Sequence, residues 1–336
     1  MILGGTGAIG WAVSWRLLAS GWEVVVTGRD PAHVPLGLEA AGARFLRADR
    51  DDPATLPGVV DSGADLLVDC VCYTAAHAAD LLPLLASVTS TVMISSKAVY
   101  VDDAGRHSNS DDPPVFQRPV SENNPTVRPN NMEYNSREGY GPNKVAAEEV
   151  LLDSGRPVTV IRPSKIHGTW SRQPREWVFV RRVLDRRPAV FLARRGAGAD
   201  HPSAAANIAA LIEVVASAPG RRILNGADPD CPNGRQIART VAAHLGHDWE
   251  EILLHEPRPD GLGAHPWDRI PPVVLDTTAA VALGYQPAGD YASTVADEID
   301  WLVACARSGG APHLSGYLQS MSDYAIEDDY LARRRR

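Results

Sequence analysis

Met1-Ile2-Leu3-Gly4-Gly5-Thr6-Gly7-Ala8-Ile9-Gly10 decides how the rest of the chain is read. Three apolar residues run into a glycine turn, and a helical pattern follows from about Ile9 to Ser20. The spacing Gly4-x-x-Gly7-x-x-Gly10 between a strand and a helix predicts a phosphate cradle. Glycine allows the tight turn, the missing Cβ lets a pyrophosphate approach the main chain, and the helix N-terminus meets it with partial positive charge. Gly4, Thr6, Gly7, Ala8, Ile9 and Gly10 are therefore the expected dinucleotide contacts. Only three residues precede Gly4, so either the first strand is short or the natural start lies upstream.

Outward from this turn, strand-like and helix-like segments alternate. Trp22 to Val26, Ala43 to Leu46, Asp65 to Cys72, Thr91 to Ser95 and Val158 to Arg162 read as strands. Ala75 to Leu85 and Asn143 to Asp153 read as helices between them. Such alternation predicts β-α-β units and an α/β doubly wound parallel sheet of the Rossmann kind over residues 1–165. Within it, residues 101–138 turn rich in Asp, Asn, Pro and Ser and lose periodicity, which predicts a long, flexible surface excursion near the site. From about Ile166 the alternation is less regular, with helices expected over Trp177 to Leu184, Ala204 to Ala216 and Gly234 to Leu245. Residues 166–310 are expected to form mainly a smaller substrate-binding subdomain, with segments returning to the sheet. Residues 311–336 read as a polar tail with no fold of its own.

The bulk properties bound the function. The chain has 336 residues, ample for a sizeable core, and a formal net charge of −8. An acidic balance argues against nucleic acid or an anionic membrane as partner. No apolar run approaches the ~18 residues of a membrane span. The four cysteines, Cys70, Cys72, Cys231 and Cys305, fit neither a zinc template nor a disulfide framework. No metal is expected, and a cytoplasmic protein with reduced thiols is the simplest reading.

Two further patterns carry chemistry. After the strand Val24-Val25-Val26, Gly28 stands where a ribose-binding acid would select NAD, and Arg29 follows. A guanidinium there can pair with a 2′-phosphate, so NADP(H) is favoured over NAD(H). Asp49, after the third strand, can bond the adenine amino group. Tyr140 and Lys144 stand four apart on one helix face. A lysine ammonium one turn from a phenol favours the phenolate, lowering its pKa from ~10 and bringing a general acid–base toward working pH.

With Ile94-Ser95-Ser96-Lys97-Ala98-Val99-Tyr100, Tyr140 to Lys144 and Ile161-Arg162-Pro163 added to the glycine loop, the chain resembles the extended short-chain dehydrogenase/reductase family. That group holds NAD(P)-dependent epimerases, dehydratases and reductases. Weaker matches at Asn207-Ile208-Ala209 and Leu283-Gly284-Tyr285-Gln286-Pro287 extend the resemblance to about Trp301. It implies that Tyr140 is the acid–base residue, that Lys144 is its partner and a ribose ligand, and that Ser96 bonds the substrate oxygen. It also implies that Arg162-Pro163 lies beside the nicotinamide carboxamide, and that the chain is a homodimer. Relatives that act as 4,6-dehydratases carry Asp-Glu after the hydroxyl residue. Lys97-Ala98 stands here, so that elimination loses its acid and base. Lys97, Lys165 and His167 are expected at the mouth of the site, able to bind an anionic substrate group. The arginines between Arg172 and Arg195 suit either diphosphate contacts or a solvated helix face.

The leading expectation is an NADP(H)-dependent oxidoreductase that reduces a ketone or oxidises a secondary alcohol on a small sugar-nucleotide or specialised-metabolite substrate. The alternative is a nucleotide-sugar epimerase that keeps its cofactor through the cycle. A remote third is a non-catalytic RNA-binding or regulatory relative, which the acidic charge and the intact Ser96, Tyr140 and Lys144 set disfavour.

Overall fold

In the computed structural model, residues 1–34, 37–56, 63–130, 132–310, 312 and 314–334 are described. Two compact units share them. The first takes Met1–Ser164, Ser203–Ala227 and Leu275–Ala288; the second takes Lys165–Pro202, Asp228–Val274 and Gly289–Arg336.

A parallel seven-stranded sheet organises the first unit. Its strands are β1 (Ile2–Leu3), β2 (Val25–Gly28), β3 (Arg44–Arg47), β4 (Ala64–Asp69), β5 (Val88–Ile94), β6 (Val158–Pro163) and a last strand, Arg222–Gly226. Their order across the sheet is Arg222–Gly226, β6, β5, β4, β1, β2, β3. The order reverses between β1 and β4, and in open α/β sheets that switch point is where ligands bind, beyond the strands' carboxyl ends. β1 has two residues, yet Ile2 and Leu3 are both buried and pair with β4 on one side and β2 on the other.

Helix α1 (Ala8–Ala19) leaves the glycine turn and packs on the helix Ala205–Ser217. Ala12, Val13 and Leu17 of α1 and Ile208, Ala209 and Ile212 of that helix are buried. Each of the larger aliphatic side chains among them stabilises the fold by about 1.5–3 kcal/mol. Sequence periodicity finds these helices to within a residue or two. The helix expected from Asn143 begins three residues earlier, at Tyr140. Pro142 permits this, because a first-turn proline lacks only an N–H that would have had no helical acceptor.

Two expectations change. Among its described residues, the stretch 101–138 carries no helix or regular strand, but it is not a loose excursion. Val120 and Val127 are buried. Val127 N donates to Val99 O at 2.8 Å, and Asn225 Nδ2 donates to Val120 O at 2.8 Å. Asp102, near its start, accepts from Ala104 N, Arg106 N, the Arg106 guanidinium and Val115 N.

The second change concerns the end of the chain, which forms helices at Gly316–Ser320 and Ala325–Arg334. In the second unit, Glu327 is buried and accepts from Arg182 Nη2 at 2.6 Å, and Arg187 pairs with Asp328 at 2.5 Å. Part of the arginine-rich segment therefore holds this helix rather than lining a solvated face. The core of this unit gathers Trp177, Phe179, Val180, Ile237, Trp267, Tyr291 and Leu302.

Candidate active site

The glycine turn is built by two different constraints. Gly4 has φ 77°, the left-handed region that favours glycine. A Cβ on Gly10 would lie 2.5 Å from Gly4 O and 2.6 Å from Gly5 Cα, both backbone atoms. These residues are glycine because the fold demands it. Gly7 differs: its φ is −94°, and the nearest atom to an added Cβ is 3.9 Å away. Nothing among the described residues requires glycine there. Gly7 is the N-cap of α1, makes no side-chain cap bond, and is followed by a first turn without acidic residues. Uncapped N–H groups beside open space are what a pyrophosphate needs, so the residues present fit a dinucleotide.

Gly28 ends β2, and Arg29 beside it is exposed. A Cβ on Gly28 would come to 3.0 Å from Thr6 Cγ2, which locks this strand end against the turn. Asp49 follows β3, half-buried, and its Oδ1 accepts from Asp51 N at 3.1 Å.

Tyr140 and Lys144 lie on the first turns of the helix Tyr140–Asp153. Lys144 is 2% exposed, and its Nζ donates to Cys72 O at 2.7 Å and Ile94 O at 2.9 Å. Those carbonyls stand just past β4 and at the end of β5. They fix the ammonium at the carboxyl edge of the sheet, 4.3 Å from the Tyr73 ring centroid and 6.0 Å from that of Tyr140. Ser96 leads out of β5 into a short turn, and its Oγ accepts from Ala98 N at 3.1 Å, leaving its O–H as a donor. The helix presses on this turn at Gly141, where a Cβ would come within 2.8 Å of Ala98 O. Tyr140 and Ser96 are thus tied to one another by backbone packing. Lys97 is half-buried in the same turn.

Arg162 is placed differently from a cofactor-facing guanidinium. It is buried, paired to Glu148 through Nη2–Oε2 at 2.5 Å and Nε–Oε1 at 3.1 Å, and lies 4.8 Å from the Tyr100 ring centroid. Ser95 Oγ also donates to Glu148. The Arg162-Pro163 segment can therefore offer a nicotinamide its main chain and the proline, but not the guanidinium. Burial pushes the Tyr100 phenol up to about 12, against the opposing pull of Arg162, so Tyr100 stays a neutral donor, with its Oη bonded to Asn225 Oδ1 at 2.7 Å. Burial likewise pushes the Cys72 thiol up to about 12 and holds Cys70 protonated.

His167 requires a correction. It is not at an open mouth: it is 1% exposed in the second unit, with Nε2 2.7 Å from Asp228 Oδ2. Lys165, in the same unit, pairs with Asp200 at 3.3 Å. Motif position says which strand end a residue follows, but not whether its side chain turns inward.

Sequence reading missed Tyr73, which covers Lys144, and Glu148, which anchors Arg162. Tyr73 lies in a run whose apolar pattern hides it. Glu148 had a visible signal, since it is four residues past Lys144 on the same buried face.

The model of the NAD dependent epimerase/dehydratase family matches residues 1–195. None of the curated proteins matches the chain significantly. Among solved structures, UDP-glucose 4-epimerase of Thermotoga maritima with UDP-glucose is 16% identical, with a TM-score of 0.67 over 91% of this chain and 98% of that one. UDP-glucuronic acid 4-epimerase of Bacillus cereus, in complex with UDP-glucuronic acid and NAD, is 16% identical, with a TM-score of 0.63 over 89% and 97%. The dTDP-glucose 4,6-dehydratase of Bacillus anthracis in complex with NAD is 15% identical, with a TM-score of 0.65 over 91% and 96%. Identities this low establish a common fold.

Proposed function

The chain belongs to the NAD dependent epimerase/dehydratase family, and from that membership we propose that it is a nucleotide-sugar epimerase that inverts a secondary alcohol while retaining its nicotinamide nucleotide. One observation carries the reading: Lys144 Nζ is fixed by Cys72 O and Ile94 O on the helix turn after Tyr140, beside the Ser96 turn. Family membership and solved relatives named as epimerases support this better than net reduction of a ketone.

Gly4 to Gly10 would hold the pyrophosphate, Asp49 the adenine, Lys144 a ribose hydroxyl, and the Arg162-Pro163 main chain the carboxamide. Bound there, the nicotinamide supplies reversible hydride exchange. The protein's own groups manage the proton. The Ser96 O–H donates to the substrate oxygen and orients it. The Tyr140 phenolate oxygen takes the hydroxyl proton as the alcohol becomes a ketone, and the phenol returns it when the opposite face is reduced. Lys144 favours the phenolate through its charge. Lys97-Ala98 supplies neither the acid nor the base of a 4,6-elimination, which favours epimerisation over dehydration. Arg29, exposed at the end of β2, would take a 2′-phosphate through its planar fork and so favour NADP(H).

The test is proton NMR of UDP-hexoses incubated with purified protein and no added cofactor, with mass spectrometry of what denaturation releases. Expected are a mixture of epimers and a released nicotinamide nucleotide. Stoichiometric consumption of added NAD(P)H without epimer formation would instead support the reductase reading. Arg29→Ala should weaken NADP binding roughly 10- to 150-fold and leave NAD binding unchanged, given the ~1.5–3 kcal/mol of a charged hydrogen bond. Equal loss for both nucleotides would remove Arg29 from this role.

A further inference from the structure

The second unit buries a cluster of ionisable groups that this chemistry does not use. His167, Glu176 and Glu298 are 1%, 2% and 0% exposed. His167 ends the strand Lys165–His167, Glu176 precedes the helix Trp177–Leu184, and Glu298 lies in the helix Ala296–Arg307. One ligand-type atom from each lies within 4.8 Å of the other two.

The surroundings orient all three. His167 Nε2 is 2.7 Å from Asp228 Oδ2. Gly168 N donates to Glu298 Oε2 at 2.6 Å, and Tyr291 Oη donates to Glu176 Oε1 at 3.1 Å. Two atoms remain: His167 Nδ1 and Glu298 Oε1 are buried and meet no donor among the described residues. A buried acceptor without a donor is costly, and both of these belong to residues of the one cluster, in which the Glu176 and Glu298 carboxyls also meet.

The pattern points to a cation. An imidazole that donates Nε2–H to a carboxylate presents its Nδ1 lone pair, which is how metal-binding histidines are held in the required tautomer. Without an ion, burial and the neighbouring Glu176 push the Glu298 carboxyl well above the usual carboxylate range, and against burial Asp228 raises His167. With both carboxyls ionised and the imidazole neutral, a divalent ion together with Arg175 would balance Glu176, Glu298 and Asp228.

We infer that His167, Glu176 and Glu298 bind one divalent transition-metal ion of the zinc, cobalt or manganese class. One imidazole with two carboxylates suits these ions better than soft copper(I), which prefers sulfur, or calcium, which takes six to eight oxygens. Bonds of about 2.0–2.2 Å space ligand atoms about 3–4 Å apart, so a small inward turn of the carboxylates brings all three to bonding distance. The site is buried and structural, with a bound water filling the position that three protein ligands leave open. It joins segments around residues 167, 176 and 298, with Asp228 behind, so the binding free energy of the metal becomes stability of this unit. The inference does not rest on the epimerase reading.

Because the site is buried, the ion enters as the chain folds. The experiment therefore produces untagged protein in medium supplemented with Zn²⁺, Mn²⁺ or Co²⁺ and passes it over a chelating resin before elemental analysis. Expected is about one equivalent of metal per chain, with visible d–d absorption in the Co²⁺ form. Glu298→Gln and His167→Ala should lose metal and absorption, whereas Glu213→Gln, in the other unit, should keep both. Metal-free wild-type protein together with a Glu298→Gln variant of unchanged thermal midpoint would overturn the inference, since that describes two carboxyl groups sharing a proton. Full metal content in Glu298→Gln would overturn the assignment of residues. If the variants do not fold, wild-type protein without Co²⁺ absorption overturns it alone.

Discussion

Gly7 and Gly10 are the same residue type three positions apart, held for opposite reasons. Gly10→Ala drives a Cβ into the Gly4 and Gly5 backbone and should lower the thermal midpoint clearly, costing about 1–3 kcal/mol as overpacking does. Gly7→Ala makes only ordinary contact, 3.9 Å from Gly4 O, so stability should change by at most about 1 kcal/mol, the scale of an N-cap change. Its affinity for the nicotinamide nucleotide should nevertheless fall more than that of any variant of equal stability. Calorimetric unfolding and nucleotide titration on the same samples separate the two effects; parallel losses in both variants would contradict the distinction. Tyr140→Phe tests the proposed proton carrier. Turnover should fall at least ~100-fold, the lower range for a general acid–base group, with nucleotide affinity unchanged. Tyr140 and Lys144 were legible in the sequence because a four-residue spacing is a statement about one helix face. The inward turn of His167 was not, because its partner Asp228 lies 61 residues away and leaves no periodic trace.

At the scale of elements, the alternation of strands and helices was readable, since buried parallel strands such as Leu66-Leu67-Val68 are continuous apolar runs. The anchoring of residues 101–138 was not, because hydrogen bonds from Asn225 and around Asp102 are matters of tertiary position. Those bonds carry a pH signature. Burial works to raise the Asp102 carboxyl, but donation from Val115 N, the Arg106 guanidinium, Arg106 N and Ala104 N outweighs it and holds the group down at about 2. A depressed carboxylate stabilises above its unfolded value and loses that contribution as pH falls through the folded value. Pepsin should therefore leave residues 103–115 intact near pH 4 and cut there as pH approaches 2, whereas Asp102→Asn should be cut across the range. The C-terminal helix is likewise a tertiary product. Its short apolar stripe, Ile326, Tyr330 and Leu331, is diluted by charged residues, yet it packs on Phe191 and Ile252, and Arg182 reaches Glu327 in a buried pair. Removing one member strands the other, so Glu327→Ala should cost roughly 3–5 kcal/mol in denaturant unfolding. A change under ~0.5 kcal/mol would return this segment to a surface tail.

On the scale of the whole molecule, each unit is made of three chain segments. Residues 1–164 alone lack the strand Arg222–Gly226 beside β6 and the helix Ala205–Ser217 that covers α1. Expressed as a fragment, they should be insoluble or lack a cooperative thermal transition, and co-expression with residues 203–288 should restore soluble protein. Among the described residues, no helix is long and apolar enough to cross a membrane.

The position of that last strand also has a meaning in time. On the ribosome, β6 emerges with its outer edge unpaired, and the residues that close it follow some 60 positions later. At ~5–20 residues per second the nascent chain displays that edge for roughly 3 to 12 seconds. Throughout that interval an open strand edge is a template for another chain. The rate at which codons 165–226 are translated therefore bears on how much of this protein survives its own synthesis.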